Sequence, residues 1–97
     1  AYAPYTAHYW RALGAVNQQL KEYPEAVAAY DMAIANDQND AVSYVYRGES
    51  HILSGDIQSG LQDLQQVIKL GPTSPSQWPW VQRAQLLLRL HTQPSAK

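Results

Sequence analysis

The chain contains no cysteine, which removes disulfide frameworks and thiolate zinc sites from consideration. It carries almost no net charge: seven Lys and Arg against eight Asp and Glu leave −1 at pH 7. No field of one sign exists that would draw in nucleic acid. No apolar run approaches the roughly 18 residues needed to cross a bilayer, so membrane insertion is not expected. No signal-peptide pattern is visible either. His8, His51 and His91 are scattered and share no metal-ligand spacing. The glycines form no phosphate loop. Asp37 and Asp40 lie in a turn without the alternating oxygen ligands of a calcium loop. No nucleophile elbow or other catalytic spacing occurs. An enzyme is therefore not expected, nor a catalytic residue, a metal site or a cofactor. The chain opens on Ala1 rather than Met, which reads as a cut boundary with sequence missing upstream.

What the chain does have is an internal repeat. Its 97 residues make one domain at most. Trp10-Arg11-Ala12-Leu13-Gly14 recurs about 34 residues later as Tyr44-Val45-Tyr46-Arg47-Gly48. Ala26, Tyr30, Ala33 and Ile34 recur at the same step as Gly60, Leu64, Val67 and Ile68. Apolar spacing predicts a helix from Ala7 to Lys21 with Tyr9, Trp10, Leu13, Val16 and Leu20 inward. A second, opened by Pro24 in its first turn, runs to Ala35 with Ala26, Val27, Tyr30, Ala33 and Ile34 inward. After the polar turn Asn36–Asp40, a third spans Ala41 to Leu53. Gly55-Asp56 supplies a left-handed stop and a cap. A fourth runs from Ile57 to Leu70 with Leu61, Leu64, Val67 and Ile68 inward, and Gly71-Pro72 ends it. Thr73 to Gln77 reads as a loop. A fifth helix then runs from Pro79 to His91, with Trp80, Val81, Ala84, Leu87 and Leu88 inward and Gln82, Arg83, Gln85 and Arg89 wet. In Trp78-Pro79-Trp80 the bland reading is a helix start with one Trp packed; the other is a rim aromatic that holds a partner.

These positions resemble the tetratricopeptide repeat, a helix pair of about 34 residues with the pattern W-x2-L-G-x2-Y, then A, an aromatic, A and P. Trp10, Leu13, Gly14, Ala26, Tyr30 and Ala33 match in the first unit, and Tyr44, Gly48 and Pro72 in the second. Asn17, Gln38, Gly60, Leu64 and Val67 depart from the pattern, and Arg47 stands where a buried Leu is usual. The resemblance covers Ala7 to Ser74. It implies an all-α fold: a solenoid of two helix-turn-helix repeats plus a C-terminal capping helix. The expected divisions are a lead-in over 1–6, repeats over 7–40 and 41–74, the capping helix over 76–91 and a tail over 92–97. Small residues at Gly14, Ala26, Gly48 and Gly60 would let the paired helices approach.

A narrower resemblance rests on Tyr9 to Gln18, Tyr23 to Tyr30, Arg47-Gly48-Glu49-Ser50, Gly55-Asp56 and Val81 to Leu88. These stretches are similar to the class II chaperones of type III secretion that guard translocator proteins. In that family two small residues, a Glu and a Cys often stand at the third of these stretches. The resemblance implies a bacterial cytoplasmic chaperone that covers an apolar, extended segment of a hydrophobic translocator. An upstream region and a further repeat usually precede this portion.

In this fold the first helix of each pair lines a concave face. The candidate peptide-binding residues there are His8, Arg11, Ala15, Gln18 and Gln19, then Val42, Val45, Tyr46, Glu49, Ile52 and Leu53. The second set is apolar for a wet surface, and such patches mark partner sites. Tyr46 is the candidate anchor, with a large body and a polar tip. For Val45, Ile52 and Tyr46 the alternative is packing inside their own helix pair or against the missing upstream region. Clamps for acidic C-termini use Lys, Asn and Arg on this face; here Arg11 is the one cation and Ala15 replaces Asn, so such a clamp is not expected. A general scaffold that joins folded partners through its convex or end surfaces remains the alternative function. Leu86 and Leu90, with Ile57 and Leu61, could support a homodimer.

Overall fold

The computed structural model describes residues 6–72 and 74–92. These form α1 (Ala7–Gln19), α2 (Tyr23–Asn36), α3 (Ala41–Leu53), α4 (Ile57–Leu70), a 3-10 turn at Pro75–Gln77 and α5 (Trp78–Thr92). No strand occurs among the described residues. Each helix packs on the next in sequence; α1 also touches α3, and α3 touches α5. The pair α1–α2 recurs as α3–α4 with every helix boundary displaced by one repeat length. Of the expected lead-in and tail, residues 1–5 and 93–97 lie outside the described residues, as does Thr73 of the expected loop.

The helix ends follow from local chemistry. Thr6, Asp40 and Asp56 are N-caps whose side chains accept from the backbone N–H three residues on. Gly55 and Gly71 take positive φ, 99° and 67°, and end α3 and α4 as expected. The first helix stops at Gln19, short of Lys21, because Lys21 itself adopts φ 63°. The last helix starts at Trp78 and is preceded by the 3-10 turn where a plain loop was expected.

The core lies where α3, α4 and α5 meet: Ala41, Val45, Leu64, Val67, Val81 and Ala84 are buried together, with Tyr44, Ile52, Leu61, Trp80, Leu87 and Leu88 packed on them. Burying a Val or Leu side chain contributes about 1.5–3 kcal/mol. Close helix approach depends on missing side chains. A Cβ added at Gly14 would stand 2.5 Å from Cε1 of Tyr30, and one at Gly60 would stand 2.6 Å from the carbonyl oxygen of Gly48. The Tyr30 ring therefore lies against the α1 backbone, and α4 crosses α3 nearly backbone to backbone.

Several side chains expected inward are not. Tyr9, Val16 and Leu20 are 41%, 55% and 62% exposed. Helical spacing creates a stripe, but among the described residues α1 packs mainly on α2 and lightly on α3. Ile68 also lies at the surface. Arg47, which stands where the first repeat has Leu13, is held by Asp63 through two hydrogen bonds of 2.9 Å and 2.6 Å and by Asp31 at 2.7 Å. Its guanidinium sits 5.5 Å from the centre of the Tyr44 ring.

Candidate functional site

The face made by α1, α3 and α5 carries two adjoining clefts. One, of about 330 Å³, is lined by Ala15, Gln18, Gln19, Tyr30, Tyr46, Glu49, Leu53 and Arg83. The other, of about 230 Å³, is lined by Glu49, Ile52, Leu53, Arg83, Leu87 and His91. Glu49, Leu53 and Arg83 belong to both. Helical spacing accounts for the α3 side: Tyr46, Glu49 and Leu53 are three and four apart and share one face.

The floor of the first cleft is aromatic. Tyr46 stacks on Tyr30 at 5.8 Å between ring centres and meets Trp80 edge-on at 5.3 Å. Each such pair contributes about 0.5–1.5 kcal/mol beyond burial. α2, α3 and α5 are thus joined by one run of rings. Tyr30 is buried, and its hydroxyl donates to Oε1 of Gln18 at 2.9 Å. Burial, with Tyr46 and Glu49 nearby, pushes the Tyr30 phenol well above its ordinary range. It remains a proton donor at any physiological pH.

The wall between the clefts is polar. Nε of Arg83 donates to Oε2 of Glu49, and Nε2 of Gln18 lies 3.5 Å from Oε1. The hydrogen bond to Glu49 holds Arg83 above the ordinary guanidinium value. Toward the N-terminal end of α3, Nη1 of Arg11 donates to Oδ2 of Asp40 at 2.6 Å. Its Nη2 lies 3.2 Å from Nδ1 of His8, which accepts in the tautomer protonated at Nε2.

Of the residues expected on this face, Ala15, Gln18, Gln19, Tyr46, Glu49, Ile52 and Leu53 come together at the clefts. His8, Arg11 and Val42 do not line either. Val45, expected on this face, instead lies fully buried in the core, because α3 is flanked by every other helix and its apolar side faces α4 and α5. Ile52 serves both readings, packing on the core and lining the second cleft. Trp80 packs on the core while Trp78 is exposed, so one Trp of the pair is packed at the helix start.

Tyr30, Arg83, Leu87 and His91 were not anticipated here. The signal for two of them was present. Arg83 and Leu87 stand one repeat length after Glu49 and Leu53, and Trp80 stands the same step after Tyr46. The period continues into α5, which takes the place of a third first helix and contributes a wall.

Among the described residues no group of three His, Asp or Glu side chains could hold a metal ion, and no helix is long and apolar enough to cross a membrane. No family model matches this sequence, and no curated protein matches it.

Proposed function

We propose that the protein is a peptide-binding module of the tetratricopeptide type, whose α1–α3–α5 face is a concave groove for an apolar, extended segment of another protein. The observation that carries this reading is the pair of adjoining clefts with Tyr46, Ile52, Leu53 and Leu87 on them. Leu53 is a large apolar side chain held 57% exposed in their midst. The repeated helix pair and the stretches similar to class II translocator chaperones support a more specific form. In it the cargo is a hydrophobic translocator of type III secretion, held in the bacterial cytoplasm before export. The act is binding, with no bond made or broken.

Fluorescence anisotropy with apolar translocator-derived peptides tests this reading, with acidic C-terminal peptides as the comparison. Leu53→Asp should abolish binding of the apolar peptides, and Tyr46→Ala should weaken it by about 2 kcal/mol, the scale of a buried aromatic anchor. Leu53 is the cleaner probe, since its exposure leaves the core untouched. Tight binding that ignores both substitutions would sink the groove reading.

A second reading has its own observation. The outer side of α1 exposes Tyr9, Val16 and Leu20, and a cleft of about 380 Å³ lies there among Ala15, Val16, Gln19 and Leu20. This favours a scaffold that docks a partner on its end surface. Val16→Asp would then abolish capture of a partner that Leu53→Asp leaves bound.

A further inference from the structure

We propose that the Glu49–Arg83 pair sets the charge preference of the groove, so that the segment it takes is uncharged where it crosses from one cleft to the other. The proposal rests on the groove reading above. Apart from His91, Glu49 and Arg83 are the ionisable side chains, Tyr aside, that line the two clefts, and both line each of them. They are bonded to one another. Glu49 is only 11% exposed, while Arg83 is 51% exposed. The other cation of this face, Arg11, is spent on Asp40, which is 4% exposed. Arg11 and Arg83 are therefore each paired with a carboxylate of the fold, and Glu49 with Arg83.

A segment laid across Glu49 and Arg83 would strip away their remaining water. Because the two charges satisfy each other, an uncharged segment leaves neither without a partner. A cationic residue at the crossing would have to compete with Arg83 for the carboxylate and strand one of the two cations in a dried groove. An acidic residue would do the same to Glu49. Stranding a charge in this way is what makes a broken buried pair costly. Rejection by an unpaired charge is a general route to specificity.

A display library of random short peptides, selected in parallel on wild type, R83Q and E49Q, tests this. Circular dichroism melts confirm that each protein is folded. Peptides selected on the wild type, and dependent on Leu53, should be depleted about tenfold in Asp, Glu, Lys and Arg at the conserved centre of their consensus. The R83Q pool should gain Lys and Arg there, and the E49Q pool Asp and Glu. The swapped pair E49R/R83E keeps the ion pair and the net charge, and its pool should match the wild type even where a single variant fails to fold. Pools with one shared charge profile, or a swapped-pair pool enriched in either sign, would overturn the proposal while leaving the groove reading in place. No Leu53-dependent peptide in the wild-type pool would remove both.

Discussion

Arg47 and Asp63 form a bidentate ion pair across α3 and α4 at the positions where, one repeat earlier, α1 and α2 carry Leu13 and Ala29. The two repeats solve the same helix contact in different ways. One uses an apolar pair, the other a charged pair that includes a buried carboxylate. The third partner, Asp31, is 54% exposed and adds little. R47L removes both hydrogen bonds from the buried Asp63, leaving it only His51 Nε2 at 3.8 Å, and should cost about 3 kcal/mol in urea unfolding. The double variant R47L/D63A copies the first repeat's solution and should recover most of that loss. A double-mutant cycle showing simple additivity would mean that the pair is not coupled.

Lys21 and Gly55 occupy the same place in successive repeats, and both have positive φ, 63° and 99°. Only glycine takes this conformation without steric cost. Lys21→Gly should therefore raise stability by about 1 kcal/mol, seen as a higher Tm at unchanged helicity. A fall in Tm would show that the Lys side chain contributes something its backbone strain conceals.

Ser50 is fully buried, and its hydroxyl has no hydrogen-bond partner. Ser50→Ala removes an unsatisfied polar group and should stabilise by about 1 kcal/mol. Chemical denaturation would report it as a higher midpoint at constant slope.

Asp56 caps α4, and hydrogen bonds from the Ser59 side chain and backbone N–H hold its carboxyl below the ordinary value of 3.8. A depressed folded pKa means the stabilisation is fully present above the unfolded value and is lost as pH falls through the lower folded value. D56A should thus be less stable than wild type at neutral pH, and the gap should narrow steadily below about pH 4. A gap that does not change with pH would show that the cap acts through something other than its charge.

The boundaries of α3 and α4 were legible because the sequence marks them: Asp40 before Ala41, Gly55-Asp56 between them, Gly71-Pro72 after. The end of α1 was not, because a lysine takes the turn that a glycine announces in the next repeat. The misplacement of Tyr9, Val16 and Leu20 has a different cause. Periodicity identifies a stripe, while burial depends on which neighbours exist, and α1 has few. At the site, Tyr46 and Glu49 followed from the repeat. Arg83 and Leu87 were hidden by treating the last helix as a lid, although the same repeat step reaches them. The pairing of Arg11 with Asp40 joins residues 29 apart, and nothing local in the sequence announces it.

Asp40 does two jobs with one carboxylate. Its Oδ1 accepts from the Ser43 backbone N–H at 3.2 Å, and its Oδ2 accepts from the Ser43 hydroxyl and from Arg11, each at 2.6 Å. The first job starts the second repeat, while Arg11 belongs to the first. Melting α1 would strip a buried carboxylate of its cation at the very point where α3 begins. The chain should therefore not unravel repeat by repeat from its N-terminal side. In a one-dimensional array, the coupling between neighbouring units decides whether unfolding is stepwise or all at once. Here the acid at the start of α3 acts together with the Tyr30–Tyr46 stack, the Gln18–Glu49 contact and the Arg47–Asp31 pair, which cross the same boundary, so a calorimetric scan should show a single transition.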